Sequence, residues 1–280
     1  MAAPKPVPAR LHVLLASQAR TAVVIRRGPS QRVAVIGWDR ETDRFKIGQW
    51  MKGRIYERRC DLSPDGQHLI YFAMNGRWRS DVKGSWSALS RAPYLKALTL
   101  WAKGDCWHGG GLFHSTSQYW LNDGGPLTHE LLRDESRLKR SVKYPWHEYY
   151  GGECLGVYYV RLQRDGWTKG ATAPDGAGGH VTPFEKEAAA PWTLRKLAYA
   201  RIFAGVGKGV YFDQHQLVNR KTGQVIDLPT WEWADLDGDR LIWAEEGRLC
   251  RGQVGSNGVK RVKPLHDFNP MTFEPLVAPY

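Results

Sequence analysis

The feature that most constrains this chain is a turn that occurs twice. In 60-CDLSPDGQHLIYFAMNGRW-78 an Asp-Leu pair precedes Ser-Pro-Asp-Gly and then a short apolar run. In 234-ADLDGDRLIWAEEGRLCRG-252 the same order returns, with Asp61-Leu62 answering to Asp235-Leu236, Asp65-Gly66 to Asp237-Gly238, and Leu69-Ile70-Tyr71 to Leu241-Ile242-Trp243. Asp-Gly supplies the positive backbone dihedrals of a tight hairpin, and the triplets beside it are too short for helices but long enough for buried strands. One hairpin cannot bury both faces alone, so a series of them must stack on one another.

Weaker copies lie at 33-VAVIGWDRETDRFKIGQW-50, 111-GLFHSTSQYWLNDG-124, 156-GVYYVRLQRDGWTKG-170 and 209-GVYFDQHQLVNRKTGQVIDL-228. With Ile36, Tyr71, His114, Tyr159, Phe212 and Trp243 as markers, the spacing runs from 31 to 53 residues. A chain with 13 Trp, 12 Tyr and 8 Phe suits pleated surfaces of this kind. The residues Asp61 to Tyr71 resemble the repeat of TolB-like and WD40-like β-propellers. That resemblance implies an all-β fold: a single β-propeller of five or six blades over residues 10–280, after a flexible N-terminus at 1–9. It carries over no functional residue, and the Gly-His and Trp-Asp pairs of true WD40 repeats are absent. The N-terminal strands 10-RLHVLLAS-17 or 21-TAVVIRR-27 are expected to complete the last blade, and the aromatic end 265-LHDFNPMTFEPLVAPY-280 to dock.

Two segments break the rhythm. Residues 127–146, with a Thr128 cap and leucines at 131, 132 and 138, read as a short helical insertion. Residues 170–191, rich in Gly, Ala and Pro, read as a mobile loop.

The net charge of +12 is concentrated at one end, since residues 1–59 hold 13 Lys or Arg against 4 Asp or Glu. Such a field attracts nucleic acid, another polyanion or an acidic protein. Candidate polyanion-binding residues are Arg26, Arg27, Arg32, Arg54 and Arg58; strand alternation would put Arg54, Tyr56 and Arg58 on one face. Candidate protein anchors are Trp78, Trp86 and Trp146, because Trp and Arg dominate interface energetics. The densest group of metal-ligand types is 105-DCWHGGGLFH-114. Cys106, His108 and His114 are its weak metal candidates, at a spacing unlike known zinc sites.

No nucleophile elbow, phosphate loop, dinucleotide fingerprint or zinc-protease motif occurs; 205-GVGKGV-210 reads as a hairpin turn. The carboxylates Glu148, Glu153, Asp213 and Asp235 read as solvated surface. Four scattered cysteines and the lack of an apolar span point to reduced thiols, a cytoplasmic setting and no membrane. The expectation is therefore a macromolecule-binding protein without a cofactor, leaning away from enzyme. Polyanion binding is the alternative, and a hydrolase or lyase with its site in the propeller channel is the second.

Overall fold

The Ser-Pro-Asp-Gly turn folds by its own side chains. Ser63 Oγ donates to Asp65 (2.5 Å) and accepts the His68 N–H (2.9 Å), and the Gly66 N–H reaches the Ser63 carbonyl (2.8 Å). Gly66 sits at φ +72°, where a Cβ would also strike the Thr21 hydroxyl. The turn joins Asp61–Leu62 to His68–Met74 in a computed structural model that describes residues 7–29, 31–125, 127–151, 153–201 and 209–280.

Among the described residues, five sheets account for the strands. The first holds Arg10–Leu15, Thr21–Arg27, Arg32–Asp39 and Arg44–Lys52 in that order. The second runs Glu130–Asp134, Ala97–Ala102, Ser85–Arg91, His68–Met74 and Arg54–Ile55, with Asp61–Leu62 also on His68–Met74. Gly111–Phe113, Gln118–Leu121 and Lys139–Ser141 make the third. The fourth runs Thr168–Lys169, Gly179–Glu187, Trp192–Arg201, Tyr211–Asn219 and Val225–Leu228, with Ala173–Pro174 on its second strand. Trp231–Asp237, Arg240–Glu245, Arg248–Gly255 and Gly258–Asp267 make the fifth. The chain divides into two compact units, one comprising His12–Arg161 and Met271–Tyr280, the other Pro8–Leu11 and Leu162–Pro270.

In the first unit, strand alternation sorts the run 69-LIYF-72 between two cores. Leu69 and Tyr71 pack with Val23, Val33 and Val35 of the first sheet, while Ile70 joins Trp101, Phe113 and Tyr119. The C-terminal residues dock in the same unit, as their aromatics imply. Phe273 packs on Trp50, and Tyr280 bonds the Arg91 N–H (3.0 Å) and the Lys96 carbonyl (2.7 Å). In the second unit Trp231 stacks on Trp243 at 4.5 Å.

The echo in sequence is an echo in structure. Asp61 and Asp235 are both buried, and each accepts the N–H of the following leucine. Asp61 then accepts the Phe113 N–H of the third sheet (2.8 Å), and Asp235 takes Lys186 of the fourth (2.7 Å) and the Trp167 indole (3.3 Å). Each carboxylate ties its hairpin to a neighbouring sheet. Asp61→Ala strands the buried Phe113 N–H and is expected to cost about 2 kcal/mol, with Asp61→Asn costing less. Equal urea midpoints for wild type and Asp61→Ala would refute this tie.

Four sequence expectations are corrected. Residues 127–146 contain strands, not a helix: the free edge of Ala97–Ala102 captures Glu130–Asp134, and Leu131 and Leu132 stay in water, so no apolar helix face exists to bury. An α-helix, α1, is Cys154–Arg164, which overlaps the stretch read as a fourth hairpin. Cys154 and the whole run 156–162 are buried, so the helix is covered on more than one face and no single apolar stripe set it apart from the β-forming 157-VYYV-160. The loop expected at 170–191 holds the nine-residue strand Gly179–Glu187, because Thr182 and Phe184 alternate into the core despite Pro183. The N-terminal strands build the first sheet, and the fifth sheet completes itself from residues 231–267 alone. The expected flexible residues 1–6 and most of the turn at 205–210 lie outside the described residues, while Ala9 is buried and bonded to Asn269 (2.9 Å).

Candidate functional site

The Cys106–His114 stretch is organised by Arg59, a residue that sequence patterning leaves unremarked. Residues 57–59 form a 3-10 turn, which breaks the alternation expected of Arg54, Tyr56 and Arg58 and sends Arg58 and Arg59 inward. Arg59 lies over the adjoining rings of Tyr56 (4.8 Å) and Phe72 (5.0 Å), which touch each other at 5.2 Å. Its Nη1 donates to the carbonyls of Cys106 (2.7 Å) and His108, and its Nε donates to Cys154 Sγ (3.4 Å). The three glycines serve this clamp. A Cβ on Gly110 would lie 1.8 Å from the Arg59 carbonyl oxygen, and one on Gly109 2.2 Å from the Phe72 ring. Close approach is to the protein's own backbone.

The metal candidates are not brought together. Cys106 is exposed, and the His108 ring lies over Gly124 and Gly125, its pKa lowered by burial and by Lys103 and Arg59. His114 Nε2 is 3.1 Å from the Lys143 carbonyl. Among the described residues no group of three His, Cys, Asp or Glu side chains is placed to share a metal ion.

The candidate arginines are also dispersed. Arg26 is buried, bonded to the Gly28 and Met271 carbonyls and set on Trp50; Arg58 is buried on the ring of Tyr158 (4.4 Å). Arg27 pairs with Glu57 (2.7 Å), Arg32 lies over Phe273 (5.8 Å) and Arg54 over Tyr56 (4.5 Å). Of the candidate carboxylates, Glu153 faces Arg59 (3.9 Å), Glu148 accepts from Tyr150 (2.7 Å) and Asp235 holds Lys186. Asp213 lies on the strand Tyr211–Asn219.

A second buried polar chain fixes the segment after residue 126. Ser87 Oγ is 2.9 Å from His129 Nε2, and His129 Nδ1 is 2.8 Å from Asp123, which also binds Arg140 (2.6 Å). Burial pushes the imidazole down to about 4 against the pull of Asp123. The ring is thus neutral near pH 7, donating from Nδ1 and accepting the Ser87 hydroxyl at Nε2. That polarity matches an acyl-transfer triad. Ser87, however, is 0% exposed, and its oxygen already accepts the Gly110 N–H (2.8 Å), so no substrate carbonyl reaches it. The chain is a strut. Next to it the buried Lys103 binds the Leu127 carbonyl and Asp105 (3.2 Å).

What these anchors hold out to solvent is apolar. Trp78 is 54% exposed, Leu127 50% and Leu131 55%, with Trp107 at 50%. Trp78 and Leu127 are linked through Lys83, since Trp78 covers Gly84 and Lys83 and Leu127 both lie against Gly104; Lys83 pairs with Glu130 (2.5 Å), and the exposed Leu131 follows Glu130 on the other face of that edge strand. Of the candidate anchors, Trp78 belongs to this surface. Trp86 is half-buried against the core around Tyr71, and Trp146 packs near Leu112 and Val157, where it shares a pocket with His114. Leu127 and Leu131 were missed as surface residues because their spacing imitates a helical stripe.

No protein-family model and no curated protein matches the chain. Among solved structures it is similar to hydrazine synthase from Kuenenia stuttgartiensis, at 9% identity over 90% of this chain and 79% of that one, with a TM-score of 0.31. It is also similar to a mutant apocarotenoid oxygenase from Synechocystis, at 7% identity over 94% of this chain and 51% of that one, with a TM-score of 0.19.

Proposed function

We propose that the chain is a non-enzymatic protein-binding module on a propeller-type scaffold, and that the surface of Trp78, Leu127 and Leu131 is where its partner docks. The fifth sheet has four consecutive antiparallel strands, each paired with the next, an order that a propeller blade would also have and that supports the scaffold reading. One observation carries the binding reading: Trp78 and Leu127, each at least half exposed, flank Lys83 of the Lys83–Glu130 pair, and Leu131, also more than half exposed, follows Glu130 on the same edge strand. Contiguous apolar surface rimmed by charge is characteristic of interaction sites. Arg77 and Arg79 flank Trp78 and are exposed, which favours an acidic partner. The four free thiols support a reducing, cytoplasmic setting, and among the described residues no helix is long and apolar enough to cross a membrane.

The test is a quantitative pull-down from the native host with wild type, Trp78→Ala and Leu131→Glu. Both variants alter exposed residues and are expected to keep the wild-type melting temperature. Each should lose the specific protein partner by about tenfold or more, the effect of removing an interface anchor. Retention of the same proteins by both variants, or recovery of nucleic acid alone, would reject the reading.

A further inference from the structure

The outer strand of the fifth sheet carries charge that the protein itself does not answer. Gly258–Asp267 reads 258-GVKRVKPLHD-267, pairs on one side with Arg248–Gly255, and is exposed from Lys260 to Pro264. Simple alternation would divide Lys260, Arg261 and Lys263 between the two faces of the sheet. A bulge prevents it. Arg251 stands opposite Lys263 and Gln253 opposite Lys260, so three steps along the outer strand match two along its partner, and Arg261 takes the left-handed conformation at φ +54°. The three side chains are thereby gathered on the face of Arg251 and Gln253. The Lys260 stem lies over Gly255, with Nζ 3.2 Å from where a Cβ would stand, and Arg261 Nη1 donates to Gln253 Oε1 (3.1 Å).

Like charges directly opposite each other on neighbouring strands repel, as Arg251 and Lys263 do here. Among the described residues none of Lys260, Arg261 and Lys263 has a carboxylate partner; Asp239 meets Gln253 Nε2 (3.4 Å) instead. Lysine on an outer strand ordinarily keeps other strands from pairing with it. Cations spread over both faces serve that purpose, whereas a bulge that collects them beside a further arginine, despite their repulsion, makes a site for an anion.

Composition selects the anion. Protein interfaces are built on aromatic anchors and are poor in lysine. This strand has no Trp, Tyr or Phe, and its exposed apolar side chain is Val262, at 59%. The lack of an aromatic platform also disfavours single strands, whose bases need surfaces to stack on. Cations without stacking or apolar anchors fit the phosphates of a duplex.

We propose that the face formed by Arg251, Lys260, Arg261 and Lys263 binds the phosphate backbone of a nucleic-acid duplex without reading its sequence. It belongs to the second unit, whereas the apolar surface around Trp78 belongs to the first.

Fluorescence anisotropy of the full-length chain with a labelled, mixed-sequence DNA duplex of about twenty base pairs tests this. Four phosphate contacts give a log-log salt slope of about −3.6, so affinity is expected to fall about a hundredfold between about 50 mM and about 200 mM salt. The triple variant Lys260→Gln, Arg261→Gln, Lys263→Gln should lower the slope by about three and bind at least about tenfold more weakly at the lower salt. A control that removes the same charge from exposed residues of the first unit, Arg44→Gln, Lys46→Gln, Lys143→Gln, should change affinity by no more than about twofold. Equal losses in the two triples would reduce the effect to net charge and overturn the proposal, as would a slope shallower than about −2 or tighter binding of the corresponding single strand. Displacement of the probe by polyglutamate at lower charge concentration than by unlabelled duplex would assign the face to an acidic protein and overturn it too. Should the triple variant fail to fold, the single Lys263→Gln decides: its slope should drop by about one, and an unchanged slope rejects the site.

Discussion

Arg59→Met is expected to destabilise the first unit by about 4 kcal/mol, the largest single-residue effect in the molecule. The figure rests on which groups lose a partner. Two carbonyls, of Cys106 and His108, lose their donor, at about 1–3 kcal/mol for each buried group left unsatisfied. The contact with the Tyr56 and Phe72 rings adds about 1–2 kcal/mol for a desolvated guanidinium. Methionine recovers packing and removes the cost of burying a charge, which in other settings makes such a replacement neutral. Here it does not, because the closest partners are neutral backbone oxygens that methionine leaves behind; Glu153 stands at 3.9 Å and is part exposed. Arg54→Met is the control, since Arg54 is exposed and only overlies Tyr56; its expected change is within about 0.5 kcal/mol. Urea unfolding followed by far-UV and aromatic signals measures both. Equal midpoints for the two variants would show that the loop at 105–110 does not depend on the clamp.

The contrast between Arg54 and Arg59 shows how far the residue pattern could be read. Turn chemistry is local, so 63-SPDG-66 and 237-DG-238 announced their hairpins, and the burial of Asp61 and Asp235 explains why both echoes begin with aspartate. The triple glycine marks a close approach, but no local signal says what approaches: Arg59 is about fifty residues distant in the chain. Helix α1 was hidden because its run 156–162 is buried throughout and rich in β-forming residues, so no one-face period marked it and long-range packing selected the helix. The apolar surface was half legible. Trp78 stood out by residue type, whereas Leu127 and Leu131 depend on a strand edge that no local signal sets. Trp146 and His114, singled out for different reasons, converge on one pocket only through the fold.

His129 sets the response to acid, and its sign separates two readings of the same geometry. With the folded imidazole near 4 and an unfolded one near 6.5, the unfolded chain takes up a proton that the folded chain refuses. Stability is therefore complete above about pH 6.5 and falls as pH drops toward about 4, by up to about 3 kcal/mol from this group. An Asp123–His129 ion pair would do the opposite, raising the folded pKa and adding stability as pH falls. The groups around the ring decide against the pair. Asp123 is already neutralised by Arg140, Lys103 also repels a second positive charge, and the side chain is fully buried. His129→Gln removes the titrating group. Its stability should be lower at neutral pH, through the lost Ser87 and Asp123 contacts, and flatter between pH about 6.5 and about 4 than that of the wild type, by at most about 1.4 kcal/mol per pH unit. Wild-type and variant curves of equal slope, or an imidazole resonance that titrates near 6.5, would exclude a buried neutral ring. Because His129 lies between Leu127 and Leu131, the same protonation loosens the segment that carries the apolar surface. Partner capture is accordingly expected to weaken in acid before the first unit unfolds, and to lose that pH dependence in His129→Gln.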